Sequence, residues 1–582
     1  MMKSTLIPGY RSLFGEPNKS YEKFLQDFSS DSVIQYLIGL NIELNSKDDR
    51  SAIQRRLKKN VFFKYTNMQK EKFEIAISRY RMRRKDYNGV LFERRYLLHM
   101  IMKELKRNSK CTKGYDEPIF EFNFLLAYLL CVDEVHNYDK ITDELKIEDK
   151  TTIGILKIVW LGIIDQYEFN QRANVGFEIY RLVCFFQYGF ISLRQYMKEL
   201  GQKNNFKNFS QILGSFYPLV ELQSKTEENI FWKKIWYRNP IDEHGKEYLL
   251  KLSINEKIDY EKISLSDIRK YPLYKTEDGR FMIIDEDMLI KKIYKGPLFE
   301  TYYETSLKNV KIHGQKTFED YKTQVSKEAL EKLCFKGIVK AIKKSENDVI
   351  YFDNNSNSLP DLYFRREGQI ILIEFKDYLF PDKVIDSTKI NALQDYIDER
   401  FVKNENGTKK GISQLLNNIE ILLQGKNEFD EGLNGLLESN GNICITSIII
   451  HTDFMFGMPG INDYLNSVFK TKIKTIHPNV EIKDVTLVSL ENLFHLSAIE
   501  KNLIDLIELT GRYWKIIADR RIDYIRNKNL NTFLYCMASF DEVYGNLFCE
   551  ELWQNLDKTK FYSASRMLNS IGISEAFLSE TL

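Results

Sequence analysis

The spacing of hydrophobic positions changes twice along the chain. Through residues 1–270 apolar residues recur at helical spacing with almost no strand pattern, most clearly at Tyr21 to Leu40 and at Phe124 to Val132. Residues 301–497 instead alternate short apolar runs with helical stretches, and residues 498–582 return to helical spacing. The pattern predicts a large all-α N-terminal region, an α/β domain and a helical C-terminal extension.

The junction between the first two regions has a pattern of its own. Residues 271–300 place the turn-forming pair Asp278-Gly279 between two short apolar runs, which favours a β-hairpin. We therefore expect a hairpin linker here, with a domain boundary on either side. At 582 residues the chain is too long for one hydrophobic core, which agrees with a division into several domains.

Inside 301–497 the predicted elements follow a definite order. A helix comes first, then three strands, further helices, a long buried strand and one more strand. The segments are Val325–Ile342 (helix), Val349–Phe352, Leu359–Phe364 and Gln369–Phe375 (strands), Thr388–Phe401 and a segment that begins near Gly411 (helices), and Ile443–Ile450 and Val485–Leu490 (strands). This order alone predicts a generic α/β domain with a mixed sheet.

Two of these strands bring charged side chains together. They form the arms of a predicted hairpin, so antiparallel pairing places Asp361 opposite Glu374. Lys376 follows Glu374 by two residues, and the alternation of a strand points both side chains to the same face. Two facing carboxylates repel each other unless a cation lies between them, and oxygen ligands suit Mg²⁺. The residues therefore predict a divalent-metal site with an amine beside it, which suits phosphodiester hydrolysis.

These residues resemble the signature of the PD-(D/E)XK nuclease superfamily. Pro360-Asp361 matches its first motif, and Glu374-Phe375-Lys376 matches its second. The resemblance covers the catalytic domain only, and it implies a restriction-endonuclease-like core with the order αβββαβ and a mixed sheet. It also implies that Asp361, Glu374 and the Phe375 carbonyl bind Mg²⁺ or Mn²⁺. Lys376 would then position the nucleophilic water, and cleavage would leave a 5′-phosphate and a 3′-hydroxyl.

The same resemblance adds candidates on two helices. In the superfamily the first core helix often carries a Glu that reaches the metal, and Glu331 or Glu328 fills that place here, with nothing local to separate them. In several branches a Gln in the helix after the hairpin lies beside the active site, and Gln414 matches it. Gln414 would hydrogen-bond the attacking water or a phosphate oxygen, with Lys410 near a phosphate. The alternative for each residue is an ordinary exposed polar position.

Charge is distributed unevenly in the N-terminal region. Residues 50–113 carry 20 Lys or Arg against five Asp or Glu, whereas residues 114–181 carry six against 13. The candidate phosphate contacts are Arg79, Arg83, Arg84 and Lys85. The aromatic residues interleaved with them are Phe62, Phe63, Tyr65, Tyr80, Tyr87 and Tyr96. We expect this segment to bind nucleic acid through phosphates, with aromatic rings stacking on bases. Alternatively, the rings fill a core beneath a solvated charged face.

Composition narrows the classes of function. The formal net charge is only +2, so the global charge names no partner. The seven Cys are widely spaced without a Cys-x-x-Cys pair, which favours buried thiols in a reducing compartment. The sequence has no apolar run long enough to span a membrane, and it has no phosphate-binding loop, dinucleotide fingerprint or H-E-x-x-H motif. We expect a cytoplasmic protein without a membrane partner.

The sequence thus favours a metal-dependent nuclease, with endonuclease action and with DNA rather than RNA as the substrate. Large bacterial members of the superfamily with appended helical domains often serve in restriction or anti-phage defence, and that role is expected here by analogy. The helical regions offer surfaces for a partner protein or for a second copy of the chain. The alternative function is a non-catalytic nucleic-acid-binding or scaffold protein whose nuclease-like core is inert.

Overall fold

The computed structural model describes most of the chain in segments. These are residues 7–44, 50–61, 65–84, 87–135, 152–170, 172–209, 211–212, 236–237, 243–256, 262–311, 317–342, 344–353, 359–385, 389, 391–403, 407–473, 478–499, 501–527 and 530–545. They group into two compact units. Unit 1 draws its described residues from 144–171 and 319–575, and unit 2 draws them from 5–143 and 172–318.

Helices make up most of the described structure. In chain order they are α1 (Tyr10–Phe14), α2 (Tyr21–Leu25), α3 (Ser30–Leu44), α4 (Arg50–Val61), α5 (Asn67–Arg83), α6 (Arg94–Arg107), α7 (Phe120–Val135), α8 (Thr152–Tyr167), α9 (Val175–Ser192), α10 (Arg194–Asn204), α11 (Glu243–Lys251), α12 (Leu265–Lys270), α13 (Glu286–Tyr303), α14 (Phe318–Val325), α15 (Lys336–Ala341), α16 (Asp382–Ile385), α17 (Ala392–Ile397), α18 (Gly411–Leu422), α19 (Glu431–Glu438), α20 (Ile461–Lys472), α21 (Leu490–Ala498), α22 (Asp505–Asn527) and α23 (Leu530–Tyr535). The π-helical stretches Ser326–Phe335 and Asp398–Val402 continue α14 and α17.

The described strands form two sheets. In chain order they are β1 (Trp236–Tyr237), β2 (Leu273–Lys275), β3 (Phe281–Ile283), β4 (Val349–Tyr351), β5 (Leu362–Arg366), β6 (Gln369–Lys376), β7 (Ile443–His451), β8 (Val480–Ile482) and β9 (Thr486–Ser489). The first three form an antiparallel sheet in unit 2. The other six form a mixed sheet in unit 1, where β4, β5 and β6 are antiparallel and β7 runs parallel to β6, β8 and β9. Unit 1 therefore has an α/β fold.

A buried ionic cluster lies at the centre of unit 2. The guanidinium of Arg94 donates to Asp285 at 2.6 Å and to Asp287 at 2.8 Å, and all three side chains are buried. Asn41 donates to the backbone carbonyl just after β3 at 2.7 Å. The hairpin predicted at 271–300 is present as β2 and β3, but these contacts and its buried side chains make it part of unit 2 rather than a linker.

Unit 1 buries its sheet on both faces. β7 is buried along its whole length, and β6 is buried beyond Gln369, as expected for parallel strands covered by helices. On one face alternate residues such as Ile370 and Leu372 join a hydrophobic cluster with α8, α18 and α20. On the other face the ring of Phe375 stacks on Phe335, with ring centroids 5.2 Å apart. This packing holds the end of β6 in a fixed position.

The predicted domain boundaries at residues 270, 300 and 497 do not coincide with the two units. Helix α8, expected in the N-terminal region, belongs to unit 1, where Trp160 Nε1 donates to a carbonyl just before α20 at 2.8 Å. Residues 501–545, expected in a separate extension, also belong to unit 1. There Asp541 accepts a hydrogen bond from the backbone at the end of β9 at 3.0 Å. Both segments cover the sheet, which periodicity alone does not reveal.

The described cysteines are all free thiols. The buried ones, as the sequence predicts, are Cys131, Cys184, Cys334, Cys444 and Cys536. Cys111 differs from that prediction because it is exposed, and Cys549 lies outside the described residues. None of the described helices combines the length and the apolar character needed to cross a membrane.

Candidate active site

The facing carboxylates lie where the sequence predicts them. The register of β5 and β6 places Asp361 opposite Glu374, and Asp361 Oδ2 accepts a hydrogen bond from the Phe375 N–H at 2.6 Å. Lys376 donates to Glu374 Oε2 at 2.8 Å, and its Nζ lies 3.9 Å from Asp361 Oδ2. The hairpin therefore brings two carboxylates and one ammonium group into contact at the end of β6.

Burial sets the electrostatics of this group. Glu374 is 2% exposed and Lys376 is 9% exposed, whereas the side chain of Asp361 retains 24%. Burial raises the pKa of Glu374 to about 7, an effect that Lys376 opposes and Asp361 reinforces. Burial alone would lower the pKa of Lys376, but Glu374 and Asp361 together raise it above its ordinary value. Lys376 therefore stays protonated, and the repulsion between the carboxylates is only partly relieved.

Helix α18 contributes a donor that the sequence analysis missed. Asn418, which is 2% exposed, donates from Nδ2 to Glu374 Oε1 at 3.0 Å. Glu374 is thus held at both oxygens, by Lys376 and by Asn418. Gln414 lies one turn before Asn418 on the same ridge of the helix, and its buried Oε1 meets no hydrogen-bond donor among the described residues. The i,i+4 spacing from Gln414 was the pattern that could have identified Asn418.

The two Glu candidates both lie in the π-helical stretch Ser326–Phe335, but their surroundings differ. Burial raises the pKa of Glu331 to about 7, and the nearby charge of Asp361 adds to the shift. Glu328 instead accepts a hydrogen bond from Lys332 at 2.8 Å in a partly exposed i,i+4 ion pair. An aromatic stack between this stretch and β6 fixes its position against the sheet. Glu331 is therefore the acid whose ionisation the charge of Asp361 opposes, and Glu328 is a surface ion-pair residue.

A divalent cation fits the chemistry of these side chains. Within the described part of the chain, no three or more His, Cys, Asp or Glu side chains form a group that could hold a metal ion as arranged. The nearby carboxylates are nevertheless hard oxygen donors, and the raised pKa values of Glu331 and Glu374 reflect burial and the charge of Asp361. Lys376 supplies positive charge beside Glu374 and Asp361, and the charges of Lys336, Lys376 and Lys327 oppose the rise in the pKa of Glu331. The donor set therefore suits Mg²⁺ or Mn²⁺, with Phe375 able to add only its carbonyl oxygen.

A second set of charged groups lies beside the carboxylates. The guanidinium carbon of Arg400 lies 5.3 Å from the ring centroid of Tyr378 and 5.4 Å from that of Tyr396. Lys410 directly precedes α18, and burial lowers its pKa, with further lowering from the charges of Lys376 and Arg400. The sequence predicted Lys410 at this site. It gave no indication of Tyr378, which lies in the irregular segment after β6, or of Arg400, which lies in a π-helical stretch where ordinary helical periodicity does not predict the direction of a side chain.

The basic region predicted at residues 50–113 lies in unit 2. Arg79, Arg83 and Arg84 are exposed on α5 or directly after it, and Arg83 also donates to the backbone carbonyl of Ser12 in α1 at 2.7 Å. Lys85 lies outside the described residues. The cationic face that the sequence predicted is therefore present, and its binding to nucleic acid remains a prediction.

The predicted stacking of aromatic residues on bases is wrong for the rings that the structure describes. Tyr65, Tyr80, Tyr87 and Tyr96 are all buried, with at most 7% of each exposed. Tyr80 and Tyr87 pack edge to face with ring centroids 5.2 Å apart. Phe62 and Phe63 lie outside the described residues. The alternative interpretation, in which these rings fill a core beneath the charges, accounts for the four tyrosines.

Comparison with known proteins finds no relative of this chain. No protein-family model matches the chain, and neither does any curated protein or solved structure. A functional conclusion therefore has to come from the geometry of Asp361, Glu374, Lys376 and their neighbours.

Proposed function

We propose that this chain is a divalent-metal-dependent nuclease of the PD-(D/E)XK type. The observation that carries this proposal is the contact of Asp361, Glu374 and Lys376 at the end of adjacent strands. The element order of unit 1, a helix, three antiparallel strands, helices and a parallel strand, supports it. We further propose DNA as the substrate, endonuclease action, a cytoplasmic location and a role in restriction or anti-phage defence.

The carboxylates and the amine have different parts in this proposal. Asp361, Glu374 and Glu331, together with the Phe375 carbonyl, would hold Mg²⁺ or Mn²⁺. When bound, such an ion neutralises the charge that builds on the phosphate and acidifies nearby water. Lys376 remains protonated, so its ammonium group donates hydrogen bonds that orient a water molecule and offset charge at the scissile phosphate.

Gln414 and Asn418 act from helix α18. The buried Oε1 of Gln414 has no donor among the described residues, and an acceptor in that position can be satisfied by a water molecule. We therefore assign Gln414 to orienting the attacking water. Asn418 acts through Glu374, whose Oε1 it holds, and is a positioning residue.

A second function has one observation in its favour. Glu374 is satisfied within the chain, because Lys376 and Asn418 engage both of its oxygens. A carboxylate that needs no further partner is compatible with an inert nuclease-like core that only docks nucleic acid or a partner protein. The two functions differ in one respect, which is whether the bound nucleic acid is cut.

A cleavage assay tests the proposal directly. Purified protein is incubated with single-stranded and double-stranded DNA and RNA, with and without Mg²⁺ or Mn²⁺. We expect metal-dependent cleavage that leaves 5′-phosphate ends. Lys376→Ala should lower the cleavage rate by at least about a hundred-fold, the effect of losing one positioned donor at the reacting phosphate.

Lys472→Ala is the matched control. Lys472 is an exposed lysine at the end of α20 in the same unit, so its loss should leave the rate unchanged. Equal cleavage by wild type and Lys376→Ala would refute the assignment of the active site. Binding of nucleic acid without cleavage under any of these conditions would favour the inert docking core.

A further inference from the structure

The segment between β6 and α18 places two cations beside the carboxylates. Lys410 follows a short antiparallel bridge between Lys403 and Lys409, and its N–H donates to the carbonyl of Val402 at 3.2 Å. This pairing sets Lys410 next to the π-helical stretch that carries Arg400. The backbone thus brings Arg400 and Lys410 into neighbouring positions, although they are ten positions apart in the sequence.

Gly411 makes this close approach possible. Its φ of +31° lies in the left-handed region, and a Cβ at this position would lie 2.8 Å from the carbonyl oxygen of Phe401. A larger residue would push the start of α18 away from the π-helical stretch. The local backbone is therefore built around a close approach of the two segments that carry Arg400 and Lys410.

Arg400 is oriented by aromatic rings and keeps hydrogen-bonding capacity. Its guanidinium group lies over Tyr378 and Tyr396, while its side chain remains 33% exposed. Arg400 forms an ion pair with Glu399 at 3.7 Å and a side-chain hydrogen bond with Tyr396, whereas its buried Nε meets no acceptor among the described residues. Two rings thus hold a planar donor group in place, and its remaining N–H groups can donate to a ligand.

The side chain of Lys410 has no partner within the described part of the chain. Lys410 is the residue directly before α18, and its side chain does not cap the helix. The Ser413 N–H donates to the Lys410 carbonyl at 2.8 Å, and the N–H groups that precede it at the start of the helix can donate to an anion. Lys376 is already balanced by Glu374 and Asp361, and Arg400 faces Glu399, whereas Lys410 has the like charges of Lys376 and Arg400 near it, which an anion at this position would offset.

We propose that Arg400 and Lys410 together bind one backbone phosphate of the nucleic acid, next to the phosphate that is cleaved. The guanidinium fork and the ammonium group are both suited to phosphate oxygens. Because the pair adjoins Lys376, a strand bound here passes directly over the carboxylates. This inference rests on the proposed function, since it names the interaction that positions the substrate.

The test is the salt dependence of binding, measured by fluorescence anisotropy without divalent ions on labelled duplex and single-stranded DNA oligonucleotides. Arg400→Gln and Lys410→Gln should each weaken binding by about ten-fold, the effect of losing a hydrogen bond to a charged group. If the pair shares one phosphate, the double variant should lower the slope of log K against log salt by about 0.9 on duplex and about 0.7 on single strands. Two separately bound phosphates would lower the slope by about twice as much.

Two further variants separate binding from structure. Lys403→Gln removes an exposed lysine from the same segment and should keep the wild-type affinity and slope. Arg400→Lys keeps the charge and should recover most of the affinity that Arg400→Gln loses. Combined with Lys410→Gln it should also keep most of the wild-type slope, which a purely structural role in stacking on the tyrosines would not predict. Circular dichroism and the melting temperature show that each variant is folded.

The outcomes distinguish this inference from the proposed function. Wild-type affinity and slope in folded Arg400→Gln, an equal loss in Lys403→Gln, or an absence of binding to either DNA would each overturn the phosphate site. A loss confined to Arg400→Gln and Lys410→Gln in a protein that never cuts would support the phosphate site and refute the nuclease. Cleavage by wild type together with unchanged binding by Arg400→Gln would support the nuclease and refute the phosphate site.

Discussion

Glu374 is positioned by side chains from two different elements. Lys376 reaches it along the same strand, and Asn418 reaches it from α18. A hydrogen bond to a carboxylate favours its charged form, so Asn418 works against the burial that raises the pKa of Glu374 to about 7. The strength with which Glu374 can hold a cation at neutral pH therefore depends on a residue that touches neither substrate nor metal.

Asn418→Ala should consequently lower cleavage and change its pH dependence. The variant leaves one buried Glu374 oxygen without its donor, which costs roughly 1–3 kcal/mol. The pKa of Glu374 then rises further above about 7, so a higher pH is needed to ionise it. We expect the rate at neutral pH to fall by about ten-fold and the half-maximal pH to move upward. The measurement is a pH profile of the cleavage rate.

Asn417→Ala is the control on the same helix. The Asn417 side chain accepts a hydrogen bond from the exposed Lys409 and faces away from Glu374, so its rate and pH profile should match the wild type. A lower rate in Asn418→Ala with an unshifted profile would show that Asn418 only stabilises the fold. Partial rescue is expected from Asn418→Gln, which keeps the donor.

Individual residues of the site could be predicted where strand geometry decided the outcome. Asp361, Glu374 and Lys376 meet because pairing register and two-residue alternation are properties of the sequence pattern. Glu331 and Arg400 could not be assigned, because each lies in a π-helical stretch whose wider turn changes the direction of its side chains. Sequence periodicity assumes an ordinary α-helix and therefore could not separate Glu331 from Glu328.

Helix α5 shows why interleaved aromatic and basic residues were ambiguous. Phe73, Ala76, Ile77 and Tyr80 are buried on one face, while Arg79 and Arg83 are exposed on the other. Residues that alternate along the sequence thus separate onto opposite sides once they are wound into a helix. The local excess of Lys and Arg correctly predicted an exposed charged face. It did not predict whether the aromatic rings would lie on that face or on the buried one.

The exposed face of α5 leads to a prediction about binding. Reversing Arg79, Arg83 and Arg84 to Glu should weaken the affinity for DNA, because fewer counterions are released on binding. The slope of log K against log salt should fall by about 0.9 for each phosphate of duplex DNA that the variant no longer neutralises. Cleavage at saturating substrate should change little, because these residues lie in unit 2 and the carboxylates in unit 1.

Arg194→Glu with Lys198→Glu is the matched control. These residues form another exposed i,i+4 pair of cations in unit 2, on α10, outside the basic region. Their reversal should have a much smaller effect on the salt slope. Equal slopes for wild type and the α5 variant would mean that the basic region serves the fold or a protein partner.

In the whole molecule, segments that are far apart in the sequence pack together in one unit. Trp160 forms its hydrogen bond with a residue 299 positions away, and α8 thereby joins the hydrophobic cluster over the sheet of unit 1. The apolar character of α8 predicted burial, but burial against which partner is set by long-range packing. The sequence therefore predicted the α/β class and most elements of unit 1, and it could not predict that unit 1 includes residues 144–171, which lie between two segments of unit 2 in the sequence.

Because unit 1 holds all the carboxylates of the site, metal binding should stabilise that unit specifically. Added Mg²⁺ or Mn²⁺ binds the folded site and not the unfolded chain, which is worth roughly 2.7 kcal/mol at one hundred times the dissociation constant. We expect a higher melting temperature. Hydrogen exchange should slow at 359–376 and 411–422, which carry Asp361, Glu374 and Asn418, and should remain unchanged in unit 2.

Asp361→Asn and Lys376→Ala should alter this stabilisation in opposite directions. Asn keeps an acceptor for the Phe375 N–H, so the fold is retained, but one anionic ligand is lost and the metal-induced rise in melting temperature should largely disappear. Lys376→Ala keeps all the carboxylates and removes the ammonium group beside them, so the rise should be at least as large as in wild type while cleavage is lost. A rise in Asp361→Asn equal to that of wild type would place the metal elsewhere. If no metal changes the stability of any of the three proteins, the carboxylates are satisfied by Lys376, Asn418 and the Phe375 N–H without a metal, and the inert docking core becomes the better account of the chain.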